Sequence, residues 1–390
     1  MTDDDGALAR PLTGALARFT RDLTAEARNG RLEPVRCRDD EVARLIDILL
    51  RQGKNNAALV GPAGVGKTAI AEALAERLAR GEVPLMLRHA RVLALDHVSL
   101  LAGAAYRGQY EERIRALVAE TSADPDVLLF IDELHNLIGQ GSSIGSAMDA
   151  ANMLKPSLVR GDFRVIGATT SEEYDRWIRG DPALERRFQR VVVRELSSDE
   201  TLEVLRARRE RLERHHHVLI SDEALRAAVV LTDEHVTDRR RPDRAIDVLD
   251  EACAHLHATT DYAADVEALI LASRSPRPAR RRSASATPTS ATNPAPVEEE
   301  DPLGQMARDG FRALEAFGAG LEAIIAGPAT EVAPAPVVAV AVDTPRLPAA
   351  PPPPPSLRAM LERDNVRLRA KDVARVVAVA TGLTIRWVES

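Results

Sequence analysis

The stretch that most constrains this 390-residue chain is Gly61-Pro62-Ala63-Gly64-Val65-Gly66-Lys67-Thr68. It follows an apolar run, Ala57 to Val60, and leads into the alanine-rich Ala69 to Ala75. Strand, glycine-rich turn and helix start, in that order, make a loop whose backbone N–H groups can close on an anion, with the helix N-terminus adding positive potential. Lys67 is spaced to reach the β- and γ-phosphates of a nucleotide, and Thr68 to set a hydroxyl on Mg²⁺. ATP and Mg²⁺ are therefore the expected ligands, and all eight residues are candidate contacts.

A second signal lies at Phe130-Ile131-Asp132-Glu133, where an acidic pair ends the continuous apolar run Val127 to Ile131. Such a run suits a strand buried on both faces of a parallel sheet. Beside a phosphate loop, Asp132 is expected to hold Mg²⁺ and Glu133 to polarise an attacking water. Thr170 closes the next strand segment, Phe163 to Ala168, with a hydroxyl in reach of that water or of the γ-phosphate. In Glu185-Arg186-Arg187-Phe188, an arginine directed at a neighbouring subunit's nucleotide would supply charge where phosphoryl transfer needs it. Three consecutive histidines, His215 to His217, do not share one face of a helix or strand and argue against a metal centre.

The length allows two or three domains, and 45% of the residues are hydrophobic, enough for a sizeable core. A net charge of −7 argues against general nucleic-acid binding. Two cysteines, Cys37 and Cys253, make neither a metal cluster nor a disulfide framework and suit the cytoplasm. No apolar stretch is long enough for a membrane span, and the acidic start lacks a secretory leader.

The chain divides as follows. Residues 1–34 are an N-terminal lead, with one helix expected over 14–30. Residues 35–197 alternate strands and helices, the pattern of a three-layer α/β domain with a parallel sheet. Residues 198–262 lose the strand signals and carry three helical segments, a small all-helical lid. Proline, serine and charge runs mark 263–304 as linker. An isolated amphipathic helix is expected at 305–326, an Ala/Pro-rich linker at 327–355, and a helical C-terminal segment at 356–390, in two pieces meeting near Lys371-Asp372.

The order of motifs resembles the first ATPase domain of the Clp/Hsp100 AAA+ unfoldases, over about residues 14–258. Leu16 to Thr24, Lys54-Asn55-Asn56, the phosphate loop, Tyr106 to Arg113, Asp132-Glu133-Leu134-His135, Asp149 to Pro156, and the Thr170 and Arg186-Arg187 segments occur in family order. The resemblance implies a P-loop AAA+ fold and Mg-dependent ATP hydrolysis. It implies Tyr106 as the pore-loop aromatic that grips a threaded polypeptide, and Thr170 as sensor 1. Arg186 and Arg187 would be fingers acting in a hexameric homo-oligomer. Arg244, in Pro242 to Asp247, would close over the nucleotide.

Departures are also legible. Val35-Arg36-Cys37 stands where relatives carry Val-Ile-Gly near the adenine. The N-terminal and coiled-coil middle domains have no counterpart, and Val366 to Glu389 resembles the join to a second ATPase domain that does not follow. Direct peptidase docking is not expected. The expected activity is remodelling of protein substrates by threading past Tyr106. The alternative is a non-threading switch or scaffold whose nucleotide-dependent assembly controls a partner protein.

Overall fold

A computed structural model describes residues 11–102, 107–138, 147–274, 356–385 and 387. Tyr106 and the segments expected at 305–326 and 327–355 lie outside the described residues.

The first helix is not continuous. Gly14–Phe19 (α1) and Leu23–Arg28 (α2) are separated by a short strand, Thr20–Asp22 (β1). The Thr20 hydroxyl bonds back to Leu16 O at 2.6 Å, and Asp22 caps α2 by accepting from Ala25 N. Capping residues at both sides of a short extended piece outweigh the helical spacing of the apolar side chains.

The α/β body then runs through Asp39–Leu49 (α3), Asn56–Val60 (β2), Lys67–Arg80 (α4), Arg91–Leu95 (β3), His97–Leu101 (α5) and Arg107–Ala123 (α6). It continues with Val127–Ile131 (β4), Leu134–Ile138 (α7), Ala147–Arg160 (α8), Arg164–Thr169 (β5), Ser171–Glu173 (α9), Pro182–Glu185 (α10) and Phe188–Val192 (β6). The six strands lie in the order β1-β3-β4-β5-β2-β6. All pairings are parallel except β1 with β3, at one edge. The expected three-layer α/β fold is present, with one antiparallel edge strand added.

The two central strands show why the apolar runs are continuous. Val127, Leu129 and Ile131 of β4 pack into one core with Ala58 and Val60, whereas Leu128 and Phe130 face the other with Ala57 and Leu59. Alternate side chains thus feed the helix layers on opposite faces of the sheet.

The lid comprises Ser198–His216 (α11), Leu219–Ile220 (β7), Asp222–His235 (α12), Asp243–Thr259 (α13) and Ala264–Arg274 (α14), followed by Leu357–Arg363 (α15), Arg367–Leu368 (β8) and Ala370–Thr381 (α16). Three features differ from the sequence reading. The segment taken as linker from residue 263 begins with α14, which buries Val266 and Ile270 in the lid core. Two apolar anchors one turn apart are too few to register against a polar composition. The C-terminal pieces break at 364–369 rather than at Lys371-Asp372, since Asp372 caps α16 by accepting from Arg369 N at 2.9 Å. That break is a strand, so the helical lid also contains a two-stranded parallel pair, β7 with β8. No helix among the described residues is long and apolar enough to cross a membrane.

Candidate functional site: a phosphate loop facing a helical lid

A cavity of about 500 Å³ opens at the C-terminal ends of β2, β4 and β5, where parallel sheets carry their ligand sites. Ala63 to Ala69, Asp132, Glu133, Thr169 and Thr170 line it from the body. Val204, Arg208, Pro242, Asp243 and Ile246 line it from the lid, and Pro34, Val35 and Arg36 close one side.

The loop owes its shape to glycine. A Cβ on Gly61 would strike the Val193 carbonyl, and Gly66, the cap of α4, has φ 88°. The 14-residue α4 therefore presents its N-terminus to the cavity. Lys67 Nζ lies across the loop, donating to Gly61 O at 2.9 Å and Pro62 O at 2.8 Å. Burial lowers its pKa, and the charges of Asp132, Glu173 and Glu133 oppose that shift.

Asp132 and Glu133 occupy the turn after β4. The Thr68 hydroxyl donates to Asp132 Oδ2 at 2.7 Å, so the two candidate cation ligands converge from different elements. Glu133 has φ 48°, a left-handed conformation that a non-glycine residue adopts at some expense. Its backbone N–H donates to Asp132 Oδ1 at 3.0 Å, and Asn136 Nδ2 donates to its Oε2 at 2.7 Å. Asn136 was not singled out by its sequence context. Thr170 caps α9 in a reciprocal arrangement with Glu173, whose Oε2 accepts from Thr170 N at 3.0 Å and lies 3.0 Å from His135 Nδ1. Burial draws the Glu173 carboxyl upward, but the Thr170 hydrogen bonds and the His135 charge prevail and hold it below its ordinary value.

Arg38 is a further component that sequence motifs did not isolate. It is buried, with Nη2 donating to Val65 O at 2.5 Å and to Arg194 O at 3.0 Å, and Nη1 paired with Glu41 at 2.7 Å. It ties the phosphate loop to the chain leaving β6. Its planar fork of donors suits this task, and a lysine could not reproduce it.

Arg36 and Cys37 diverge. Arg36 lines the cavity with an exposed side chain whose Nη1 donates to Val35 O at 3.1 Å. Cys37 has φ 59° and directs its thiol to Glu203 Oε2 at 3.2 Å. Burial, reinforced by Glu203, pushes that thiol up to about 11. Arg244 does not line the cavity. It is buried in the lid, paired with Asp233 and donating to Val236 O at 3.0 Å and Arg239 O at 3.3 Å. A buried guanidinium requires acceptors for its donors; Asp233 and two lid carbonyls supply most of them and Glu195 adds an ion pair at 3.7 Å, while Nε has no partner among the described residues, and Asp243 and Ile246 line the cavity instead.

Arg186 and Arg187 also lie off the cavity, between α10 and β6. Arg186 is exposed, and Arg187 is half-buried against Gly161 at the end of α8. Tyr106 itself is outside the described residues; before it in sequence, Leu100 O and Ala102 O each accept from Arg113 of α6 at 2.8 Å.

The site fits an adenine nucleotide with Mg²⁺: an anion-binding helix start, an ammonium, a hydroxyl and carboxylate converging for a cation, and an apolar wall. A sequence profile for the ATPase family associated with various cellular activities (AAA) matches residues 57–196, and one for the AAA lid domain matches 197–287. This chain carries a AAA+ ATPase module of the Clp/Hsp100 type. It is 51% identical over 257 residues to chaperone protein ClpB 1 of a Nostoc species, covering 65% of this chain and 29% of the relative. Chloroplastic ClpB2 of rice is 53% identical over 243 residues, covering 62% and 25%. Among solved structures, a closed state of Hsp104 with ATPγS and casein superposes with a TM-score of 0.58 at 41% identity, covering 63% of this chain and 43% of that one. The Hsp104–ADP complex of S. cerevisiae gives 0.58 at 42%, covering 62% and 41%. The Clp/Hsp100 module thus spans less than a third of the length of these ClpB relatives.

Proposed function

We propose that the protein hydrolyses ATP in a hexameric ring of identical subunits and uses that work to remodel protein substrates threaded past Tyr106. The observation that carries this reading is the convergence of Lys67, Thr68, Asp132 and Glu133 on one cleft whose opposite wall is a separately packed lid.

In this reading Lys67 leaves the carbonyls of Gly61 and Pro62 for the β- and γ-phosphates, and the α4 N-terminus holds the remaining charge. Thr68 and Asp132 would hold Mg²⁺, which would supply charge neutralisation to the nucleotide phosphates. Glu133 accepts a proton from the attacking water, and the Thr170 hydroxyl orients that water. Val35, Leu196, Val204 and Ile246 enclose the base. Arg186 and Arg187, being off their own cavity, act on a neighbouring subunit's nucleotide. The cytoplasm suits two unpaired thiols, Cys37 and Cys253. Neither nucleic acid, membrane nor a directly docked peptidase is part of the proposal. The alignment with Hsp104 bound to casein supports a protein substrate for this module as well.

Tyr106→Ala is expected to keep ATP turnover within about threefold and to lose remodelling of an unfolded model substrate, since the ring grip acts by packing on the chain. Remodelling that survives this change would remove threading and leave the nucleotide-controlled scaffold. Arg187→Ala is expected to bind nucleotide normally as a monomer and to lose about 10³-fold in ring-dependent turnover. Mixing it with Glu133→Gln subunits should restore turnover, because Arg187→Ala subunits keep an intact Glu133 and receive Arg187 from their neighbours. Full turnover by Arg187→Ala alone would reject this finger.

A further inference from the structure

β3 and β4 run parallel, with Arg91 level with Val127 and Ala94 level with Phe130. His97 follows the C-terminal end of β3 as Glu133 follows that of its neighbour β4, so both stand at the same end of the sheet. His97 is the first residue of α5, whose start is fixed by Asp96 accepting from Ser99 N at 3.0 Å. Its imidazole Nδ1 is enclosed from solvent and has no hydrogen-bond partner among the described residues. A buried ring nitrogen left unpaired carries its full desolvation penalty. Beside the strand end that carries Glu133, that points to a partner met in another state of the site.

Two carboxylates lie near enough to act on the ring, Glu133 and Asp96. Asp96 is engaged by Ser99 N and Oγ. Glu133 has one oxygen, Oε2, bonded to Asn136 within its own turn. Burial holds the imidazole below its ordinary pKa against the pull of Glu133, which favours the neutral ring with one N–H.

We infer that His97 is a positioning residue for Glu133: its Nδ1–H takes the carboxylate when that carboxylate leaves Asn136, so that Asn136 holds a resting arrangement and His97 the hydrolytic one. The inference rests on the reading of Glu133 as the carboxylate that activates water. Nothing in the binding of ATP itself requires His97, so its effect belongs in kcat rather than in KM.

The experiment is steady-state ATP turnover of His97→Ala, His97→Asn and His97→Gln in the full chain, with Glu133→Gln alongside. His97→Ala is expected to lower kcat about tenfold, with KM for ATP changed by no more than about twofold. His97→Asn, whose amide nitrogen reproduces the Nδ1 donor, recovers most of kcat. His97→Gln, whose amide reaches the Nε2 position instead, recovers little. Should His97→Ala destabilise the fold, the contrast between Asn and Gln still decides. Equal kcat for the Asn and Gln variants, or a loss confined to KM, overturns the inference. Undiminished turnover by Glu133→Gln strikes the reading of Glu133 itself, whereas an inactive Glu133→Gln with indifferent His97 variants removes His97 alone.

Discussion

Glu133→Gln is expected to reduce ATP turnover by about 10²- to 10⁴-fold, the range of a lost general base, while ATP binding persists. The two side chains have nearly the same shape, so the Asn136 contact to the Glu133 side chain and the turn at φ 48° can both survive. What disappears is the basic oxygen and its negative charge. Lys67, Thr68 and Asp132, the groups positioned toward phosphate and cation, keep their own contacts. Single-turnover hydrolysis measured beside binding of a fluorescent ATP analogue separates the two effects. A kcat within about threefold of the parent would assign water activation elsewhere. The same variant loaded with ATP provides the material for sizing the assembly: a stable monomer under those conditions would contradict the proposed ring.

The phosphate loop and the acidic strand end were readable because each is a local device. A glycine turn, a lysine and a hydroxyl must be contiguous to wrap phosphate, and Asp132-Glu133 must follow a strand to reach the same point. Arg38 was not readable in this way. Its partners, Val65 O and Arg194 O, lie far along the chain, and only the packed fold brings them together. Arg244, which the family resemblance sets over the nucleotide, turns its guanidinium to Asp233, Glu195 and two carbonyls of the lid and does not line the cavity. Spacing indicates which residues share a helix face, but it does not indicate which acceptors a long side chain will meet. For Arg186, Arg187 and Tyr106 the roles expected of them depend on a neighbouring subunit or a bound polypeptide.

The lid raises the larger structural prediction, because its core is assembled from two distant stretches of sequence. Met360, Leu361, Val366, Leu368, Ala370, Val373, Ala374, Val376 and Val377 supply nine of the twenty-six buried residues of that core among the described residues. β8 also pairs with β7, and Leu219 N donates to Val366 O at 3.0 Å. At about 1 kcal/mol or more for each buried aliphatic side chain, losing this layer removes roughly 10 kcal/mol, comparable to the whole stability of a small domain. A chain ended at Arg274 is therefore expected to keep a folded α/β body, whose two cores contain none of these residues, and to lose the lid. Hydrogen exchange should show α12 and α13 unprotected while β2, β4 and β5 remain protected. ATP should bind weakly, since Val204, Arg208, Asp243 and Ile246 form one wall of the cavity. Replacing residues 276–354 by a flexible linker of ~20 residues while retaining 356–381 should restore both protection and binding, which separates loss of the C-terminal layer from loss of the intervening chain. Native-like protection of α12 in the truncated chain would show that the first four lid helices form a self-sufficient domain. The C-terminal layer would then be an attachment rather than part of the lid core.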